Sequence, residues 1–214
     1  METRTMKKTL TARVLAGTAI LGAAGLLLGI APSDAAVPAR AAAVSTYAKP
    51  ALNPASLHFG WKCWGHPTNC NVAVYAPTGW KFTKLSTREA KFTDSSNTWM
   101  LRVDGSLDGK VSTGTVAQQR VKELRRVPGL KIVSRAHGTA PSLVGDGSTV
   151  AYRSLTYTYR DGARGQRLVS TRFLDIYSNG KRAYIEVTVA GRPQDKAGLT
   201  KIMAVATQRA TLVG

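Results

Sequence analysis

The chain has 214 residues, and its 30 lysines and arginines against 12 aspartates and glutamates give a formal net charge of +18. Such an excess favours binding to polyanions through counterion release. No recognition-helix signature, zinc-finger spacing or RNA-binding aromatic motif occurs, so we expect nucleic acid not to be the physiological partner.

The first 35 residues predict a secretory signal peptide. Basic residues between Arg4 and Arg13 precede an uncharged run from Val14 to Ile30, and small residues at Ser33 and Ala35 suit a cleavage site. An uncleaved membrane anchor is the alternative, although the run is short for a spanning helix. A second candidate cleavage site follows Ala41. We therefore expect a secreted chain with no transmembrane segment after cleavage.

The mature chain divides into a leader and one folded domain. Residues 36–56 are rich in alanine and proline and predict a flexible leader. Aromatic residues appear from Leu57 onward, so the single domain is predicted to span 57–214. It begins with a strand at Asn71 to Tyr75, a Pro-Gly turn, and a strand–turn–strand unit in AKFTDSSNTWMLRVDGS.

A helix is predicted from Thr115 to Val127, because Val121 and Leu124 lie on one side of it with other apolar residues. Arg120 interrupts that apolar side and must extend to solvent or pair with an acid. Pro128-Gly129 then ends the helix.

Four segments rich in Val, Ile, Thr, Tyr and Phe follow, and the turn sequences RDGARG and SNGK predict hairpins between the last three. In the last segment Ile185 and Val187 alternate with Tyr184 and Glu186, which predicts one core face and one solvent face. A closing helix follows Pro193. The predicted fold class is α+β: an antiparallel β-sheet meander with helices packed on it.

This order of elements resembles PsbP-like domains, including LpqN-type lipoproteins and the outer domains of some actinobacterial Ser/Thr kinases. The matching pieces are the turn Pro77-Thr78-Gly79-Trp80, the strand Phe92-Thr93-Asp94, and the later strands and helix, together about Asn71 to Gly214. The resemblance implies an α/β sandwich with a binding or accessory role, without a shared reaction. The chain departs from the pattern because it lacks a lipobox cysteine and has an additional segment from Cys63 to Cys70.

The sequence favours a secreted, non-catalytic and monomeric binding module of the cell envelope, with no cofactor and no metal. Its partner would be a wall component, a lipid-like ligand or a partner protein. Aromatic residues of the strands and turns are the candidate lining of a ligand groove: Trp80, Trp99, Tyr152, Tyr157, Tyr159, Tyr177 and Tyr184.

Two alternatives stay open. The first is a secreted hydrolase, for which His137, Ser142 and Asp146 supply triad residue types without a nucleophile-elbow motif. The second is an anionic-polymer-binding protein that uses the densest basic segments. These candidates are Lys122, Arg125, Arg126, Arg160, Arg164 and Arg167.

Cys63 and Cys70 are the only cysteines of the chain. In an exported protein two such cysteines are expected to pair. A zinc site would need four ligands, and the spacing of these cysteines around His66 fits no zinc motif. The six residues between them also exclude the two-residue spacing of a redox motif. The sequence therefore predicts a Cys63–Cys70 disulfide.

Overall fold

The computed structural model describes residues 49–66, 69–144, 148–178 and 181–213. The predicted signal peptide and leader residues 36–48 lie outside this part. In the described part the chain forms two α-helices, α1 (Thr113–Leu124) and α2 (Lys196–Arg209), and ten β-strands. The strands are β1 (Phe59–His66), β2 (Asn69–Pro77), β3 (Lys81–Lys84), β4 (Glu89–Thr93), β5 (Met100–Asp108), β6 (Lys131–Pro141), β7 (Thr149–Asp161), β8 (Gly165–Ser178), β9 (Lys181–Gly191) and β10 (Thr211–Leu212).

Seven strands form an antiparallel sheet in the order β3-β4-β5-β9-β8-β7-β6. Strands β6 to β9 form a meander, and the RDGARG segment closes the β7–β8 hairpin as predicted, with Asp161 opposite Gly165. Gly162 and Gly165 have φ angles of 35° and 70°, which suit glycine because it has no side chain to clash in the left-handed region. Strand β6 is one edge of this sheet.

One face of the large sheet is covered by α2 and by a second sheet of order β1-β2-β10. The main core lies between these layers. Helix α2 contributes Leu199, Ile202, Met203 and Ala206 at helical spacing, and β2 contributes the fully buried Val72 and Val74. The arrangement confirms the predicted α+β architecture, although the separate small sheet was not predicted.

Helix α1 packs on the opposite face of the large sheet. It begins where the Ser112 hydroxyl accepts a hydrogen bond from the Thr115 amide, and Val121 and Leu124 pack against a smaller cluster that includes Leu155. The side chains that β9 places on this face, including Tyr184 and Glu186, were predicted to be solvent-exposed, and that prediction was wrong. Tyr184 is fully buried and Glu186 is 1% exposed, because α1 and its Arg120 cover this face.

The N-terminal arm, residues 49–56, packs against the domain. The Leu52 side chain is buried and its amide donates to Asp195 Oδ1 at 3.0 Å. The Arg192 guanidinium also donates to the carbonyl oxygens of Lys49 and Pro50. The packed domain therefore begins before the predicted start at Leu57. Leu52 lies directly over Gly198, and a Cβ at position 198 would come within 2.4 Å of Leu52 Cγ.

The Cys63–Cys70 disulfide is confirmed, with 5.7 Å between the two Cα atoms. It links β1 to β2 close to their turn, whose residues 67 and 68 lie outside the described part. Strand β1 itself was not predicted from the sequence, and it pairs with β2 from Phe59 to His66.

Candidate functional site

Strands β6 and β7, here called the hairpin wing, carry an unbalanced charge. Their basic residues are Lys131, Arg135, Arg153 and Arg160, and all four side chains are exposed. The only carboxylate of these two strands, Asp161, pairs with Arg164 at 2.6 Å. Within the part of the chain that the structure describes, none of the four basic side chains pairs with a carboxylate, so the wing offers unneutralised positive charge to a ligand.

On the α1 face, a cavity of about 310 Å³ separates the helix from the hairpin wing. Its polar lining includes Arg135, His137, Arg153 and Gln118, and its apolar lining includes Val121. His137 lies directly opposite Arg153 in the strand register. This side of the wing therefore places two guanidinium groups and an imidazole around one opening.

On the α2 face lies a second cavity of about 230 Å³, here called the α2-side cavity. Leu168, Leu199 and Met203 form its apolar wall. Hydroxyl-bearing side chains line another part, where Thr156 and Ser170 are hydrogen-bonded to each other at 2.9 Å. The other lining hydroxyls belong to Ser134, Ser154 and Thr200, whereas the Thr171 hydroxyl bonds to Thr188 on the opposite face of the sheet.

Two cationic side chains, Arg172 and Lys196, also line the α2-side cavity. The Arg172 Nη1 donates to Thr207 Oγ1 at 2.9 Å, and its guanidinium carbon lies 4.1 Å from the centroid of the Tyr152 ring. Burial lowers the pKa of Arg172. In contrast, burial alone would lower the pKa of Arg120, but the Glu186 carboxylate raises it above the ordinary value. Arg172 has no such compensating carboxylate among the described residues.

Among the described residues, the aromatic candidates are not brought together at either of the two cavities. Of the seven candidates, the Tyr177 side chain lies outside the described part, and none of the other six lines either cavity. Tyr184 is fully buried, and burial raises the pKa of Tyr157 to about 12. Trp99 lies beneath the Lys49 ammonium, which is 3.7 Å from its ring centroid.

The remaining aromatic candidates are dispersed. Tyr159 packs against Tyr157 with ring centroids 6.3 Å apart, while Trp80 packs on the main core on the other face of the sheet. Tyr152 alone approaches a cavity, through the Arg172 guanidinium that lies over its ring. Packing in the core and stacking against cations explain the positions of these aromatic side chains better than binding of one shared ligand does.

The predicted polyanion residues divide into two groups. Lys122, Arg125 and Arg126 are exposed at the end of α1, and Arg160 is exposed on β7. Arg167 was wrongly assigned to this surface: it is 3% exposed, and its Nη1 donates to the Thr98 carbonyl at 2.7 Å. Arg164 is already neutralised by Asp161.

The hydrolase alternative receives no support from the described geometry. The buried Ser142 hydroxyl donates to the Val144 carbonyl at 2.7 Å, and within the described residues no hydrogen bond joins it to His137. The third candidate, Asp146, lies outside the described part. A triad requires its base to accept from the nucleophile, which this arrangement does not provide.

Sequence reasoning missed the three arginines of the two cavities, Arg135, Arg153 and Arg172. A signal was present in the alternation of β7 and β8. Ser154 and Thr156 in one strand, and Ser170 and Arg172 in the next, occupy positions that share a face. Polar residues on the face that should be apolar mark a place where the core ends.

Comparison with known proteins leaves the family open. No protein-family model matches the sequence, and no curated protein matches it significantly. Similar solved structures include the Ran-binding protein Mog1p of Saccharomyces cerevisiae, with 7% identity, a TM-score of 0.47, and 74% of this chain and 97% of that chain covered. LpqN of Mycobacterium tuberculosis, which is involved in cell envelope biogenesis, has 14% identity and a TM-score of 0.43, with 73% and 92% covered.

LpqN represents one of the groups that the sequence resembles. Identities and TM-scores at this level assign neither a family nor an activity to the chain, so the PsbP-like family name stays a prediction. Among the described residues, no helix combines the length and apolar character needed to cross a bilayer. The established result is an α+β fold with two cavities beside a basic hairpin wing.

Proposed function

We propose that the chain is an exported, non-catalytic binding module of the cell envelope that holds an acidic envelope component on its hairpin wing. The observation that carries this proposal is the set of four exposed basic side chains on β6 and β7, which have no carboxylate partner in the described part of the chain. Counterion release makes such a surface attractive to a polyanion.

Export is supported by two independent features. The predicted signal peptide supplies the route, and the Cys63–Cys70 disulfide is of the kind that persists in oxidising compartments outside the cytoplasm. An exported basic surface meets anionic wall polymers and acidic lipid head groups. We favour an anionic wall polymer, because an edge strand and its neighbour present an extended rather than a compact surface.

The position of the wing suits ligand binding. Among the described strands, β6 pairs with β7 alone. A register irregularity between Ile132 and Ser134 accompanies the 52% exposed Val133. Irregularities and basic residues at an edge protect it from pairing with another sheet. The same basic residues remain available to an acidic polymer, so they can both prevent sheet pairing at this edge and bind the ligand.

The proposal is tested by measuring the affinity of purified wall teichoic acid for the mature chain at several salt concentrations. Replacing both Arg135 and Arg153 with Gln should lower affinity about tenfold, equivalent to about 1.4 kcal/mol, and should reduce the salt dependence. The matched control replaces Lys122 and Arg126 with Gln, which removes the same charge from the end of α1.

Three results would contradict the proposal. One is equal weakening by the two pairs of substitutions, because net charge alone would then explain binding. Another is selective weakening by the control pair, which would assign the ligand to the end of α1. The third is binding of double-stranded DNA as tightly as the wall polymer at physiological salt, which would remove the preference for an envelope component.

A further inference from the structure

Arg172 and Arg209 differ from the other partly buried arginines of the domain, because each stacks on a tyrosine ring and neither pairs with a carboxylate among the described residues. Of the two, only Arg172 lines a cavity. Arg102 pairs with Glu89, Arg120 with Glu186, and Arg192 with Asp195. Arg167 donates to the Thr98 carbonyl and is influenced by nearby carboxylates. Only uncharged groups contact Arg172 in the described part of the chain, so its positive charge is not balanced there.

Two contacts hold the Arg172 guanidinium at the wall of the α2-side cavity. The Tyr152 ring packs against it at 4.1 Å, and Thr207 accepts a hydrogen bond from Nη1 at 2.9 Å. A guanidinium has five N–H donors in a rigid fork. One hydrogen bond and one stacked ring therefore orient the group, and the contacts among the described residues leave most of its donors for another acceptor.

The rest of the cavity wall supplies further donors. Lys196, the first residue of α2, is exposed and lines the cavity with Thr200. The hydroxyls of Ser134 and Ser154 approach from the hairpin wing. The volume of about 230 Å³ is below the roughly 300–1,000 Å³ of pockets for drug-sized ligands. The cavity thus suits a compact anionic group.

We propose that the α2-side cavity binds a phosphate group, either free or as the ester of a larger envelope molecule, with Arg172 and Lys196 as its cationic ligands. Hydroxyl-bearing residues of β6, β7, β8 and α2 line the same cavity as the two cations, so a tetrahedral oxyanion can accept from several directions at once. A planar carboxylate would use only two oxygens. Bidentate recognition of phosphate is a geometry for which arginine is well suited.

This inference deepens the proposed function, on which it rests, by naming the acidic group of the ligand. It concerns a different set of side chains, however. The α2-side cavity uses Arg172 and Lys196, whereas Arg135 and Arg153 lie on the α1 side of the wing. The two claims can therefore fail separately.

The experiment titrates the mature chain with inorganic phosphate, with glycerol 3-phosphate, and with phosphatidylglycerol vesicles against phosphatidylcholine vesicles, all in a chloride buffer. Binding is followed by calorimetry for the soluble compounds and by sedimentation for the vesicles. The variants are Arg172→Gln and Lys196→Gln. The matched control is Arg209→Gln, because Arg209 also stacks on a tyrosine, 4.5 Å from the Tyr75 ring centroid, but lies outside the cavity lining.

We expect saturable binding in at least one phosphate arm, a loss of at least about tenfold in affinity for Arg172→Gln, and a smaller loss for Lys196→Gln. Arg209→Gln should bind like the unmodified chain. Binding of inorganic phosphate or glycerol 3-phosphate supports a soluble source, and binding of phosphatidylglycerol vesicles alone supports a lipid head group. Lys196 is exposed, so its variant tests the site even if Arg172→Gln does not fold.

The proposal is overturned if no phosphate compound binds saturably, or if neither cavity substitution weakens binding. If wall-polymer binding still depends on Arg135 and Arg153 in that case, the proposed function stands without a phosphate site. If phosphate binds at Arg172 but the wall polymer does not bind the wing, the cavity site stands and the proposed function fails.

Discussion

Replacing the buried Glu186 with Gln should destabilise the domain far more than the same replacement at the exposed Glu123. Both carboxylates contact Arg120. Glu186 is 1% exposed and accepts from Nη1 and Nη2 of Arg120, each at 2.8 Å. Glu123 is 42% exposed and lies 3.3 Å from Nε of Arg120. Glu186 also lies 3.6 Å from Nη1 of Arg102, so the comparison contrasts a buried carboxylate shared by two arginines with an exposed carboxylate that, among the described residues, pairs with Arg120 alone.

The magnitude follows from these contacts. A hydrogen bond to a charged group contributes about 1.5–3 kcal/mol. Gln retains one acceptor, so Glu186→Gln loses one such bond together with the negative charge that faces Arg120 and Arg102. Breaking a buried ion pair costs about 3–5 kcal/mol. Arg120 is 28% exposed, so water partly compensates its charge, and we expect a loss of about 2–3 kcal/mol in unfolding free energy.

The assay is urea unfolding of the mature chain followed by tryptophan fluorescence. A loss of about 2–3 kcal/mol should lower the midpoint by about 1–2 M, whereas Glu123→Gln should lose less than about 1 kcal/mol. Equal losses for the two variants would refute the reasoning, because burial of Glu186 would then add nothing to its ion pair with Arg120.

Three further predictions concern the N-terminal arm, the disulfide and the stability of the domain at low pH. Gly198→Ala should destabilise by about 1–3 kcal/mol, measured by urea unfolding, because its Cβ would meet the buried leucine of the N-terminal arm; Gly114→Ala in α1 meets nothing closer than 3.6 Å and should not destabilise. Replacing Cys63 and Cys70 with Ser should cost about 2 kcal/mol in the same assay, and two free thiols in the denatured, unreduced protein would contradict the disulfide. Burial raises the pKa of Asp94, but hydrogen bonds from Lys49, from Ser96 and from backbone amides lower it from 3.8 to about 2. The Asp94 carboxylate therefore contributes fully to the unfolding free energy above about pH 4, and this contribution is lost as the pH falls toward 2. In Asp94→Asn the unfolding free energy should fall less steeply over that pH range. An unchanged pH dependence would show that Asp94 is not responsible for the acid sensitivity.

The order of the long elements could be predicted because local patterns determine them. Apolar spacing identified both helices, and glycine-containing turns separated the later strands. Helix α1 ends at Leu124 rather than at the predicted Val127, because the three residues before Pro128-Gly129 form turns instead of continuing the helix. Boundaries of this kind depend on single hydrogen bonds, which a pattern of apolar residues does not specify.

Long-range packing accounts for what was missed. The alternation in β9 predicted a solvent face, but the sequence does not reveal that α1 returns over that strand and that Arg120 then pairs with Glu186. Strand β10 has two residues and forms only by pairing with β2. The arm residue Leu52 has no local pattern, since its burial depends on Gly198 and Asp195, more than 140 residues later.

The candidate site was predicted less well than the fold. Aromatic residues were expected to line a groove, but aromatic side chains are also common in packed strands, and Tyr184 is an example. The cavity arginines were overlooked because each is a single basic residue in a strand. Their significance arises because no carboxylate of the described part pairs with them, which only the packed structure shows.

The most direct test of the central claim is a backbone NMR titration of the mature chain with wall teichoic acid at physiological salt. If the hairpin wing holds the acidic ligand, the largest shift changes should fall on β6 and β7, with smaller changes at the start of α2. Changes centred on Lys122 to Arg126, or on the β1–β2 hairpin, would contradict the proposed site, and an unchanged spectrum would contradict the proposed function.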